Sequence, residues 1–217
     1  MERFLDRRDG GRQLAAKLSE YADQPDVIAL ALPRGGVPVA HEVARVLDVP
    51  LDLLIVRKLG LPGREELAIG AIASGGIRIL NEDIVHALSV DPEVIDRVTE
   101  QEMEELQRRQ QQYRGDRAAL EVRDRTVILI DDGLATGASM LAAVQALRTR
   151  NPARIIVAVP AAAPQAIDLL RKKVDKIVCV MAPDPFEGVG KWYEDFSQTT
   201  DEEVRMLLEK SDKNLHS

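Results

Sequence analysis

The stretch Thr126–Ser139, TVILIDDGLATGAS, decides the fold. It opens with Val127-Ile128-Leu129-Ile130, an apolar and β-branched run too short for a helix. Such a run reads as a parallel-sheet strand buried on both faces. It stops at two adjacent carboxylates, Asp131 and Asp132. Gly133 and the small, hydroxyl-bearing turn Ala135-Thr136-Gly137-Ala138-Ser139 follow, and helical spacing begins at once with Met140, Leu141, Val144 and Leu147. The loop of a strand–loop–helix unit sits at the C-terminal edge of the sheet, where α/β folds bind ligands. The helix start offers unpaired N–H groups and the positive end of its dipole. Small residues let a phosphate reach those groups, and Thr136 and Ser139 add hydroxyl donors. The two carboxylates can accept from vicinal sugar hydroxyls or face a hydrated Mg²⁺. Each part suits a sugar phosphate.

Similar units surround this one. Val27–Leu32 reads as a buried strand running into Pro33-Arg34-Gly35-Gly36, with a helix to about Leu47. Two glycines permit unusual backbone angles and close approach by an anion, and Arg34 adds a fixed charge and a planar fork of donors. Leu51–Val56 reads as a second strand, ending in the cations Arg57-Lys58. Leu59–Ile79 is Gly-rich and long for a connection, which marks a functional or mobile loop; its alternating Leu67, Ile69, Ala71, Ile77 and Ile79 also suit a hairpin. Asp91-Pro92 opens a long, mostly solvated helix to about Tyr113. Two further strands, Arg154–Ala161 and Lys176–Met181, flank a helix at roughly 164–173. Strands alternating with helices imply a parallel sheet with right-handed crossovers. Phe186–Phe196 gathers two of the three Phe and the sole Trp, which suits either an apolar anchor or a cover that stacks on a flat ring. Thr200-Asp201-Glu202-Glu203 is a capping box for a last helix to about Lys210.

The 217 residues suit one α/β domain with a small addition. The net charge of −7 argues against a general nucleic-acid or anionic-membrane binder. The single cysteine, Cys179, lies in an apolar run and reads as a buried thiol, which suits a reducing cytoplasm. The charged opening, MERFLDRRDGGRQLA, carries no long apolar core, so neither a leader nor a membrane span is expected. No GxxxxGK[ST], no GxGxxG after a strand, no GxSxG elbow and no zinc-ligand spacing occur.

Taken together, an apolar strand, Asp131-Asp132 and Ala135-Thr136-Gly137-Ala138-Ser139 resemble the signature of type I phosphoribosyltransferases. With RGGVPVA, ELAIGAIA and VGxWYxDF, the chain looks closest to the bacterial group of predicted phosphoribosyltransferases. The resemblance implies a twisted parallel sheet flanked by helices, with a flexible lid at 59–79, an inserted helix at about 91–114, and a hood and helix at about 183–211 closing a core of about 11–182. It implies that Asp131 and Asp132 hold the ribose hydroxyls of 5-phosphoribosyl pyrophosphate (PRPP), that 135–139 wrap its 5′-phosphate, and that Mg²⁺ is the cofactor. Arg34, Gly35 and Gly36 form the pyrophosphate loop, often with a cis peptide bond; Arg57 and Lys58 meet the pyrophosphate. Phe186 and Val189-Gly190, or else Trp192 and Tyr193, cover a base. Ala135 replaces the acid that serves as base in the hypoxanthine–guanine branch, so Glu65 or Glu66 in the lid is the candidate base. The family often forms dimers, so a homodimer is compatible. A non-catalytic PRPP or nucleotide sensor, and a hydrolase or phosphorylase of a phosphorylated sugar, stay open beside the transferase.

Overall fold

The computed structural model describes residues 3–115 and 117–214, apart from the side chains of Glu66 and 212–214. In chain order its elements are α1 (Arg7–Lys17), β1 (Val27–Ala31), α2 (Gly36–Leu47), β2 (Leu51–Leu53), β3 (Val56–Leu61), β4 (Arg64–Ala73), β5 (Ile77–Leu80), α3 (Glu82–Ala87), α4 (Pro92–Arg114), β6 (Thr126–Ile130), β7 (Gly133–Leu134), α5 (Ala138–Arg148), β8 (Arg154–Ala162), α6 (Pro164–Arg171), β9 (Lys176–Met181) and α7 (Asp201–Asn214). Every residue of β1 and β6 is buried. Their alternate side chains feed two cores. Val27, Ala29 and Ala31 pack with α1, α2 and α7 on one face, and Ile28 and Leu30 pack with α5 and α6 on the other. This two-sided burial is what a continuous apolar run requires.

The main sheet runs β2-β1-β6-β8, with β9 and the short β7 also pairing β8, and every pairing is parallel. Its first two strands in the chain therefore go to one side and the later ones to the other. The reversal falls between β1 and β6, and a crevice opens beyond the C-terminal ends of strands at such a point.

The expected second strand, Leu51–Val56, is divided. Leu54 N–H donates to the Ala31 carbonyl at 3.0 Å, where the parallel pairing stops. Ile55 then exchanges bonds with Ser74 at the end of β4, its N–H reaching Ser74 Oγ at 3.0 Å. Val56 thus enters an antiparallel sheet, β3-β4-β5, and Arg57 and Lys58 lie inside β3 instead of at the end of a parallel strand. Residues 59–79 are accordingly strands joined by tight turns, with Gly63 at φ 79° and Gly75 and Gly76 at φ 94° and 76°. Local signals elsewhere do what they suggest. The Asp91 side chain accepts from Glu93 N–H at 2.9 Å, and Thr200 Oγ1 accepts from Glu203 N–H at 3.1 Å. The long helix α4 buries Ile95, Val98, Leu106 and Tyr113. Among the described residues no helix is long and apolar enough to cross a membrane.

One buried ion pair ties α4 to the sheet edge. Arg114 donates through Nε and Nη2 to Asp52 Oδ1 at 3.1 and 2.8 Å, with side-chain exposures of 8% and 2%. Asp52 also accepts from the N–H groups of Leu53 and Leu120. Removing one partner of such a pair strands the other charge. Arg114→Met is expected to cost about 3–5 kcal/mol in a urea unfolding titration.

Candidate active site

The β1 and β6 loops meet in the crevice. The Pro33–Arg34 peptide is cis, as the resemblance implies. Gly35 has ordinary right-handed angles, φ −59° and ψ −33°, so its need for glycine is not conformational. It is close approach: a Cβ on Gly35 would fall 2.0 Å from Asp132 Oδ2, and one on Gly36 would fall 2.8 Å from the Ile130 carbonyl oxygen. The loop at 33–36 is thus pressed onto the diacid pair.

The two acids are bound differently. Asp131 Oδ1 accepts from Asp132 N–H at 2.8 Å. Asp132 Oδ2 accepts from Arg7 Nε at 2.8 Å, and its carbonyl accepts from Tyr193 OH at 2.6 Å. Burial, then the neighbouring Asp132 charge, pushes Asp131 well above the usual carboxylate range. Burial also raises Asp132, with Arg7 pulling the other way. Arg7 has no local sequence signal; its partner is 125 residues away.

The turn after β7 stays open. Ala135, Thr136, Ala138 and Ser139 are exposed. Gly137, at φ 76°, caps α5 with no side-chain bond, and Thr136 Oγ1 makes only a 3.4 Å contact with Ala138 N–H. The first amides of α5 are left for an anion.

Among the described residues the expected cations are already paired, except Lys58. Arg34 lies 3.5 Å from Asp201, which also accepts from Tyr113 OH and Gln112 on α4. Arg57 Nε donates to Glu102 of α4 at 2.6 Å. Lys58 is exposed and, with Ala138, Leu141 and Gln145, lines a cavity of about 420 Å³ between the antiparallel sheet and α5. The antiparallel sheet and the start of α5 therefore share one cavity. Glu65 is exposed and accepts from Gly63 N–H at 3.0 Å, which turns it back on its own hairpin. The Glu66 side chain lies outside the described residues.

The aromatic segment covers the diacid end. Val189 packs on Gly133, where a Cβ would come within 2.6 Å of Val189 Cγ1. Phe186 and Trp192 lie beside it with ring centroids 6.1 Å apart. Tyr193 departs from the expectation of a stacking surface: its ring is buried, 5.3 Å from Phe4, and its hydroxyl serves the Asp132 carbonyl. Among the described residues no cluster of three His, Cys, Asp or Glu is placed to hold a metal.

Asp131 gives a pH test. Its raised folded-state pKa means that its favourable contribution is present below the ordinary carboxylate pKa and is lost as pH rises toward the folded value. Asp131→Asn removes the ionised form. Its melting temperature should match the wild type near pH 4 and exceed it increasingly above, by roughly 2–4 °C per kcal/mol. A thermal melt series across pH checks this, and a constant difference contradicts it.

Comparison with known proteins agrees with this fold. A family model described as "Phosphoribosyl transferase domain" matches residues 2–190. Two Mycobacterium tuberculosis proteins, from strains H37Rv and CDC 1551 and provisionally named phosphoribosyl transferases, are each 41% identical over 214 residues. That match covers 99% of this chain and 48% of theirs, so the chain spans about half the length of these relatives. The crystal structure of TT1426 from Thermus thermophilus superposes with a TM-score of 0.86 at 40% identity, covering 96% of this chain and 98% of that one. The chain belongs to the phosphoribosyl transferase domain family.

Proposed function

We propose that the chain transfers the phosphoribosyl group of PRPP to a nitrogen nucleophile, a nucleobase being the acceptor class. The carrying observation is the seat of Gly35 on Asp132, which brings the 33–36 loop and the diacid pair into one crevice at the sheet's reversal point. In this reaction the bond from ribose C1 to pyrophosphate breaks, and its electron pair leaves with pyrophosphate. A C1–N bond forms, and the nitrogen's proton passes to solvent or to a lid carboxylate. The transition state has oxocarbenium character, as in glycoside cleavage.

Each residue then has a task. The amides at 137–139, with Thr136 and Ser139, hold the 5′-phosphate. Asp131 and Asp132 accept from the ribose hydroxyls. Arg34, Arg57 and Lys58 stabilise charge on the leaving pyrophosphate. Phe186, Val189 and Trp192 cover the acceptor. The adjacent carboxylates, without a third ligand nearby among the described residues, fit a Mg²⁺ held mainly by substrate oxygens. Bound there, the ion would neutralise developing charge on the leaving group.

Titration with Mg²⁺ and PRPP, followed by pyrophosphate release over a panel of bases, tests the reading. Release that requires one base supports it. Binding without release supports a sensor, release without any base supports a hydrolase, and no binding overturns all three. Arg57→Ala should lower turnover about 100- to 1,000-fold with the fold intact. Glu102→Gln should act oppositely on binding. It frees Arg57 from a competing anion, and calorimetry with inorganic pyrophosphate should show tighter binding, by up to roughly tenfold.

A further inference from the structure

Arg7 belongs to none of the motifs assigned above, yet it touches the centre of the site. It leaves the first turn of α1 and joins three parts of the chain. Its Nε donates to Asp132 Oδ2 at 2.8 Å, its Nη1 donates to the Ser197 carbonyl at 2.6 Å, and its guanidinium lies 3.9 Å from the centroid of the Phe196 ring. Its side chain is 11% exposed and that of Asp132 is 15% exposed. An ion pair so far out of water is not the weak, screened contact of a protein surface.

Among the described residues, two contacts besides Arg7 join the hood to the diacid end. Val189 packs on Gly133 and Tyr193 OH donates to the Asp132 carbonyl, while within the hood Tyr193 stacks on Phe196 at 5.2 Å. The N-terminal strap carries the same segment: Phe4 N–H donates to the Trp192 carbonyl, and Glu194 and Asp195 N–H donate to the carbonyls of Phe4 and Leu5. Arg7 follows directly on that strap. Of these links it supplies the charged one, and it alone reaches an acid's side chain. Gly35 presses on the same carboxylate oxygen, and a Cβ there would also fall 3.3 Å from Arg7 Nε, so the 33–36 loop and Arg7 meet at Asp132 Oδ2.

We infer that Arg7 is a positioning residue: by bridging the Asp132 carboxylate to the Phe196–Ser197 backbone and ring, it sets the orientation of the acid pair and the seat of the hood as one unit. A fork of donors suits this task, because one planar group can satisfy a carboxylate and a carbonyl together and stack on a ring. Lysine offers one point charge and cannot do all three. Through this bridge, occupancy of the acid pair and closure of the hood become linked, and such linkage is reciprocal. What the acids bind rests on the proposed function; the bridge itself does not.

Trp192 is the sole tryptophan and lies in the hood, so its quenching by acrylamide reports hood closure in the full chain without any ligand. Arg7→Gln and Asp132→Asn should each raise the quenching constant about twofold, as a locally opened segment does. The double variant should show no more than either single, because both changes break one link. Wild-type quenching in folded Arg7→Gln, or effects that add in the double variant, would overturn the inference. Should Arg7→Gln fail to fold by circular dichroism, Arg7→Lys decides. Quenching above wild type supports the bridge, and wild-type quenching refutes it. Ribose 5-phosphate, as a probe of the acid pair, should protect Trp192 in the wild type and not in Arg7→Gln. Calorimetric binding with equal protection in both refutes the linkage. Absence of binding counts against the proposed function alone, and the ligand-free comparison still decides Arg7.

Discussion

The structure depends on one contact, the seat of Gly35 against the Asp132 carboxylate. β1 and β6 are hydrogen-bonded neighbours in register from Val27–Thr126 to Ala31–Ile130, so the loops that follow them leave side by side. One loop brings two glycines, and the other brings two acids. Only the absence of a Cβ lets the loops meet, and a crevice polar on both walls results. The rest of the fold maintains that meeting. The two cores clamp the strands from either face, and the hood is laid over the acids from Gly133 onward.

The electrostatics are those of a site whose charges pair internally. Asp132 has Arg7, Arg57 has Glu102 and Arg34 has Asp201. Asp131 is raised well above the usual carboxylate range by burial and then by the Asp132 charge beside it, with Arg7 pulling the other way. Buried charges that lack a partner are expensive, so internal pairing is what lets so many charged groups gather beside a sheet edge. It also gives α4 a place in the site, since Glu102, Gln112 and Tyr113 all lie on that helix.

The parts of this arrangement legible in sequence were those written locally. The runs at β1, β6, β8 and β9, the Asp91 cap and the Thr200 box each specify their element within a few residues. Gly35 and Gly36 were legible as a loop needing glycine, though the reason is close approach and not backbone angle. What was not legible is long-range pairing. The apolar run 51–56 reads as one strand, and only Ser74, which takes Ile55 away from the parallel sheet, divides it. Arg7 and Arg114 look like other surface arginines until Asp132 and Asp52 are placed beside them. The aromatic cluster was visible, but composition cannot say that Tyr193 faces inward while Trp192 stays near the surface.

The salt bridges from Arg34 and Arg57 to Asp201 and Glu102 have a consequence for which solutes can occupy the crevice. An incoming anion must outcompete a carboxylate already in place, and it leaves that carboxylate behind unneutralised. A chloride or a lone phosphate brings too little charge to win both exchanges at once. Under the proposed function, a diphosphate brings the larger charge that both exchanges require. On that reading the two ion pairs set a charge threshold that favours a diphosphate over chloride or a single phosphate.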